Sequence, residues 1–214
     1  MPQRFAIYYA PPRGSALDVR SANWLKRPEL REATIAARRY GFHATIKAPM
    51  ALKTGTDQAG LAAALATFGR ENGPVMVGRI EPRIIDGFLA LVPVIQPREL
   101  TDFAELVVEA FDRFRAPLDA RERQRRLSAP LSDRQIKLLD TYGYPYVLEQ
   151  FQFHMTLTDR LPLDRQAALL ADAKVWFAPA LATQLVVDRL VLFHEAEPGT
   201  VFFRGEDFVL KGPQ

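Results

Sequence analysis

The sequence predicts an α+β protein: a bilobal duplicated fold in which two mostly antiparallel sheets form a central cleft, with helices on the outer faces. Three observations lead there. The phrase Phe-His-x-Thr-aliphatic occurs at Phe42–Ile46 and again at Phe153–Leu157. Each copy is followed by a helical stretch and then by two strands, with His43 and His154 111 residues apart (154 − 43), and such self-similarity is the mark of an internal duplication. A pair of strands after each helix argues against a doubly wound parallel sheet.

The elements follow in order. "RFAIYYAP" is aromatic and β-branched and stops at Pro11-Pro12, as a strand does. "SALDVRSANWLKR" spaces Leu17, Trp24 and Leu25 as on a helix, with Ser15 as N-cap. "PELREATIAARRY" predicts a second short helix from Pro28, and "FHATIKAPMAL" a strand. "DQAGLAAALATFGREN" reads as a helix stopped at Asn72-Gly73. "VMVGRI" and "GFLALVPV" read as strands joined at Asp86-Gly87. "RELTDFAELVVEAFDRFRAPL" is an amphipathic helix with Leu100, Phe103, Leu106, Val107, Ala110, Phe111 and Phe114 on one stripe. The charged stretch 119–146 reads as an irregular insert leading into a short helix. Strand "VLEQFQFHMTLT", helix "PLDRQAALLADAKVWF" and strands "LVVDRLVLFHEA" and "TVFFRGEDFVL" then repeat the earlier order. We therefore expect one domain over 1–214, with lobes near 1–98 and 147–214, a connecting helix and insert at 99–146, and exchange of strands between lobes.

Composition narrows the chemistry. Hydrophobic residues make up 48% and charged residues 25% of 214, as in an ordinary globular protein. Zero cysteines exclude disulfides, thiolate catalysis and cysteine-bound metals. The formal charge of +3 suits an anionic substrate and is too small to announce a nucleic-acid binder. No apolar run approaches the roughly 18 residues of a membrane span, and "MPQRFAIYYAPPRG" does not resemble a signal peptide. The expectation is a cytoplasmic protein without membrane contact, a monomer.

The two histidine strands carry the functional signal. Side chains alternate across a strand. In the first copy Phe42, Ala44, Ile46 and Ala48 share one face, and His43, Thr45 and Lys47 the other. In the second, Phe151, Phe153, Met155 and Leu157 lie opposite Gln150, Gln152, His154, Thr156 and Thr158. A polar His-Thr row repeated on a cleft face is the pattern of a site grafted onto a scaffold. Two imidazoles with ordinary pKa near ~6.5 can act as base and acid at neutral pH. The residues themselves leave open which is which. Thr45 and Thr156 can donate to phosphate oxygens, Lys47 can add positive charge, and Gln152 and Thr158 share the row. No metal and no cofactor are expected, since two histidines alone are a thin ligand shell.

These stretches resemble the paired His-x-Thr signatures of the two-histidine (2H) phosphoesterases. "RRYGFHATIKAP", "LSDRQIKLLDTYGYPYVLEQFQFHMTLT" and "LVLFHEAEPGTVFFRGEDFVL" are similar to a bacterial branch of that superfamily encoded beside phosphonate-utilisation (C–P lyase) genes. The resemblance implies His43 and His154 as the catalytic pair and Thr45 and Thr156 as phosphate binders, in a metal-independent enzyme acting on cyclic phosphates or phosphodiesters. The expected partner is a small phosphorylated substrate such as a nucleotide or sugar cyclic phosphate. Alternatives are an RNA-end 2′,3′-cyclic phosphodiesterase or 2′–5′ ligase, which is not favoured, and a non-catalytic phospholigand-binding module.

The remaining conspicuous residues have plainer readings. His194 has Ala196 where the other two have threonine and reads as structural. "RERQRR" (Arg121–Arg126) reads as a solvated helix face because Glu122 interrupts it. Trp24 reads as packing, and "GYPY" (Gly143–Tyr146) as a turn whose tyrosines could line the cleft.

Overall fold

In a computed structural model that describes residues 3–197 and 199–212, nine strands and seven α-helices form an α+β fold, as expected. The strands are β1 (Arg4–Tyr9), β2 (Ala44–Ala51), β3 (Val75–Gly78), β4 (Ile80–Ile85), β5 (Phe88–Pro93), β6 (Met155–Arg160), β7 (Leu185–Val187), β8 (Arg189–Glu195) and β9 (Phe203–Val209). The helices are α1 (Ala16–Lys26), α2 (Ile35–Tyr40), α3 (Gln58–Glu71), α4 (Arg98–Asp112), α5 (Ala120–Leu127), α6 (Asp133–Tyr142) and α7 (Leu163–Phe177).

Seven strands make one antiparallel sheet in the order β4-β5-β6-β2-β1-β8-β9, and β3 pairs with β7 in a second sheet. The order has an internal two-fold. The run β4-β5-β6 mirrors β8-β1-β2, and the seam between the two is a single registered pair, Ala44 with Met155. Chain order and spatial order differ: the β4–β5 hairpin sits beside β6, and β8 beside β1.

Local chemistry explains most boundaries. Ser15 Oγ accepts the Asp18 amide at 3.3 Å, capping α1 as expected. Ser132 and Gln135 form a reciprocal capping box at α6, which stops at Gly143 with φ 75°. The β4–β5 turn places Asp86 at φ 47° and Gly87 at φ 85°, the two positive values of a tight hairpin. "VMVGRI" is not one strand, because Gly78 at φ 85° breaks it and sends β3 and β4 into different sheets. "PELREATIAARRY" gives two 3-10 turns before the short α2. The strand expected from Val147 starts only at Met155, after a 3-10 turn at Leu148–Gln150 whose Leu148 has φ 54°.

One apolar core lies between the sheet and α1, α3, α4 and α7. From α4 it takes Leu100, Phe103, Ala104, Val107 and Phe111, whereas Leu106, expected in that stripe, faces solvent. Trp24 is 0% exposed, and its Nε1 donates to the Leu157 carbonyl at 3.0 Å, so α1 is fixed to the back of the second histidine strand. Trp24→Ala should lower the urea unfolding free energy by about 3–5 kcal/mol. Trp24→Phe, which gives up the hydrogen bond but keeps most of the volume, should cost about 1–2 kcal/mol. A Trp24→Phe variant as stable as the unaltered protein would show that the bond contributes nothing beyond packing.

Candidate active site

The seam pair fixes the site. Ala44 faces Met155, so extending that antiparallel register by one residue each way sets His43 opposite Thr156 and Thr45 opposite His154. Directly opposed residues on one sheet face have Cβ atoms about 4.5–5.5 Å apart. Each imidazole therefore stands beside the other copy's threonine. Ala44 and Met155 themselves point into the core and are fully buried.

Both rings are held alike. His43 Nδ1 donates to the Gly41 carbonyl at 2.9 Å, and His154 Nδ1 donates to the Gln152 carbonyl at 2.9 Å. A carbonyl can only accept, so each neutral ring carries its proton on Nδ1 and its lone pair on Nε2. Gly41, at φ 71°, ends α2 in a backbone conformation that favours glycine, and this turn aims its carbonyl at the ring. His43 Nε2 lies 3.2 Å from Thr45 Oγ1.

The surroundings of the two rings differ. His43 stacks on buried Tyr8 with centroids 3.7 Å apart and planes 16° apart, and Phe193 closes a further side at 6.0 Å. Burial among these rings lowers its pKa from 6.5 to about 4; the Gly41 carbonyl opposes the shift, and the nearby His154 adds to it. His154 meets the Phe88 ring at 5.7 Å in a tilted arrangement.

A cleft runs over both. One end, about 410 Å³, is lined by His43, Thr45 and Thr156 together with Arg4, Tyr8, Tyr40, Arg125 and Arg126. The other, about 540 Å³, is lined by His154, Gln152, Phe88, Arg160 and Tyr146. Thr45 and Tyr144 border both ends. The whole is of the size that holds a small molecule.

Two residues expected on the cleft row lie elsewhere. Tyr8 pairs with Thr45, Ile7 with Lys47 and Phe5 with Met50, so β2 carries two more residues than β1 over that span. Such bulges break the alternation, and Lys47 is 3% exposed, its ammonium donating to the Val108 carbonyl and to Asp112 Oδ1, each at 3.0 Å. In β6 the same happens. Phe88 pairs with Arg160 but Ala90 with Thr156, and Thr158 within the slip is 0% exposed. Its Oγ1 accepts the Leu89 amide at 3.0 Å and substitutes for a ladder carbonyl. Gln152 lies in the cleft and is exposed, and its backbone oxygen holds His154. His194 pairs with Phe5 and Phe203 in the sheet, away from the cleft, as expected of a structural residue.

The insert also departs from its plain reading. Arg125 and Arg126 line the cavity rather than forming a merely solvated face, and Tyr144 joins them. Arg126 lies over the Tyr144 ring at 5.3 Å, and Tyr146 meets Tyr144 edge-on at 5.5 Å. Burial pushes the Tyr144 phenol up to about 12, so it is a neutral hydroxyl at physiological pH. Arg4, Tyr8 and Tyr40 are further lining residues that the motifs did not single out. For Tyr8 the signal was available, since alternation along "RFAIYY" sets it apart from the core-facing Ile7 and Tyr9. Among the described residues, no three His, Cys, Asp or Glu side chains are grouped to hold a metal ion, and no helix is long and apolar enough to cross a membrane.

Fold and cleft together define an α+β protein with a candidate paired-histidine site. Residues 45–203 match a family described as "Protein of unknown function (DUF1045)", and the chain belongs to it. It is 33% identical over 231 residues to the ribose 1,5-bisphosphate phosphokinase PhnN of Janthinobacterium sp. (strain Marseille), covering 98% of this chain and 51% of that protein. It is also 35% identical over 215 residues to the PhnN of Laribacter hongkongensis (strain HLHK9), covering 93% and 50%. The chain thus spans about half the length of the curated relatives it matches. Among solved structures, TT0787 of Thermus thermophilus superposes with a TM-score of 0.52 at 14% identity over 99% of this chain and 100% of that one, a likeness of fold. E. coli LigT complexed with 3′-AMP aligns over 98% and 99% with a TM-score of 0.48 at 14% identity.

Because the Lys47 ammonium depends on its acidic partner, Asp112→Ala should destabilise the protein by about 3 kcal/mol. Lys47→Met, which removes the buried charge itself, should change stability by less than about 1 kcal/mol. Urea titrations decide it, and the reverse ranking would show that the ammonium itself stabilises this position beyond its neutralisation by Asp112.

Proposed function

We propose that this protein is a metal-independent two-histidine phosphoesterase that hydrolyses a small cyclic phosphate or phosphodiester. The observation that supports this most is the symmetric fixing of both imidazoles. Each is tied at Nδ1 to a backbone carbonyl two residues earlier, across a register that sets each beside the other's threonine. General acid–base chemistry at phosphorus needs two such groups on opposite sides of the phosphate.

The environments suggest the roles. Held neutral by burial, His43 accepts at Nε2 the proton of the attacking water. The water oxygen forms its bond to phosphorus as the bond to the leaving oxygen breaks, and His154, in its protonated form, donates to that oxygen. Thr45 and Thr156 donate to the non-bridging oxygens, where negative charge grows. Water thus adds across the P–O bond, and the two rings end with protonation states exchanged, to be reset through solvent. The relatives' name, ribose 1,5-bisphosphate phosphokinase, favours a sugar phosphate among the candidate substrates. A place in phosphonate breakdown, implied by the resemblance above, belongs to the same reading.

His43→Ala and His154→Ala should each lower kcat/KM on a cyclic phosphate by about 10²–10⁴-fold, with EDTA without effect. With the His43 pKa lowered to about 4, the base is already deprotonated above that value. The acidic limb of the kcat/KM profile should therefore lie near pH 4, not near the ordinary 6.5 of imidazole. Steady-state kinetics across a panel of cyclic phosphates test this, and full activity in either histidine variant would sink the assignment.

A further inference from the structure

One wall of the cleft has more positive charge than its own carboxylates neutralise. Glu122 Oε1 lies 3.2 Å from Nη2 of Arg125, 3.2 Å from Nη2 of Arg126 and 4.0 Å from Nη1 of Arg4. Arg4 and Arg39 in turn share the fully buried Glu195, each at 2.5 Å. Among the described residues, four guanidinium groups are thus served by two carboxylates, Glu122 and Glu195, which leaves two positive charges uncompensated. Three of the four, Arg4, Arg125 and Arg126, line the same cavity as His43 and Thr156. The donors are under-used as well: Arg126 is 16% exposed, and its Nε is buried without a hydrogen-bond partner among the described residues, a group that ordinarily finds an acceptor. Its plane is fixed by the face of Tyr144.

The geometry points to a second anion subsite on this wall, which takes a phosphomonoester group of the substrate separate from the phosphate that reacts. A phosphomonoester carries about −1.5 to −2 at neutral pH and three acceptor oxygens, which match the two spare charges and the fork of guanidinium donors. The substrate class is then a small sugar-like molecule with a reactive cyclic phosphate at one position and a terminal phosphate at another. This inference rests on the phosphoesterase reading for which phosphate reacts, though not for the existence of the subsite.

The test compares adenosine 2′,3′-cyclic phosphate with the same compound bearing a 5′-phosphate, by turnover and by calorimetric binding. Two additional charge-assisted contacts predict a preference of roughly 100-fold for the 5′-phosphorylated probe. In Arg125→Gln/Arg126→Gln that preference should fall to within about threefold. Arg125 is 66% exposed, so Arg125→Gln alone reports a partial loss of preference if the double variant fails to fold. Tighter binding of the phosphorylated probe, lost with the arginines, supports the subsite even if neither probe is hydrolysed, a result that would remove the catalytic reading alone. Equal binding of the two probes by the unaltered protein, or a preference that survives the arginine changes, overturns the subsite. So does a larger gain from lengthening the probe to an oligonucleotide than from adding the 5′-phosphate.

Discussion

The pairing of Ala44 with Met155 is the constraint on which the site depends. It is the one registered contact between β2 and β6, and both residues turn their side chains into the core, which leaves the flanking His-Thr residues on the cleft face. A slip of one residue at this seam would move every side chain of one strand to the opposite face. The register is therefore held by the apolar residues behind it, Phe153 and Leu157 from one strand and Ile46 from the other, and by α1 anchored on Leu157 through Trp24. The energetics of the core and the geometry of the candidate catalytic pair are the same problem.

The sheet is nearly symmetric about that seam, but the insert is not. Residues 119–146 supply Arg125, Arg126 and Tyr144 at the His43 end of the cleft, and Pro130, Gln135, Tyr144 and Tyr146 at the His154 end. Tyr8 on β1 adds a flat ring under His43. A duplicated scaffold gives two equivalent imidazoles; unlike neighbours are what allow them to do unlike work. In the proposed reaction, the asymmetry that acid–base chemistry requires would be carried by packing and burial, with no carboxylate among the described residues hydrogen-bonded to either ring.

Much of this was legible in the sequence, for physical reasons that also explain the rest. The recurring Phe-His-x-Thr phrase identified both strands because a period of two sorts core from cleft, and Phe151, Phe153, Met155 and Leu157 are all buried as alternation requires. The same rule failed at Lys47 and Thr158, since it assumes an unbroken strand and both lie at bulges. No residue type announces a bulge in "ATIKAP" or "TLTD". Arg125 and Arg126 escaped the sequence reading because a charge run on a short helix looks the same whether it faces water or a cavity. Only the fold sets that helix beside β1, where Arg4 already stands. The single sheet through β2 and β6 was likewise beyond periodicity, which reports faces but not neighbours.

The bonds that orient the imidazoles come from main-chain oxygens, at Gly41 and Gln152. A carbonyl does not titrate, so the tautomer of the neutral ring is fixed wherever the backbone keeps its shape, with less added basicity than a carboxylate partner would confer. It is also not encoded by any side chain. Replacing position 152 with another residue leaves the acceptor in place, and a scan of side-chain truncations across the cleft would pass over one of the groups that hold the rings. In the proposed reaction the peptide backbone would take the part often assigned to the third member of a catalytic triad.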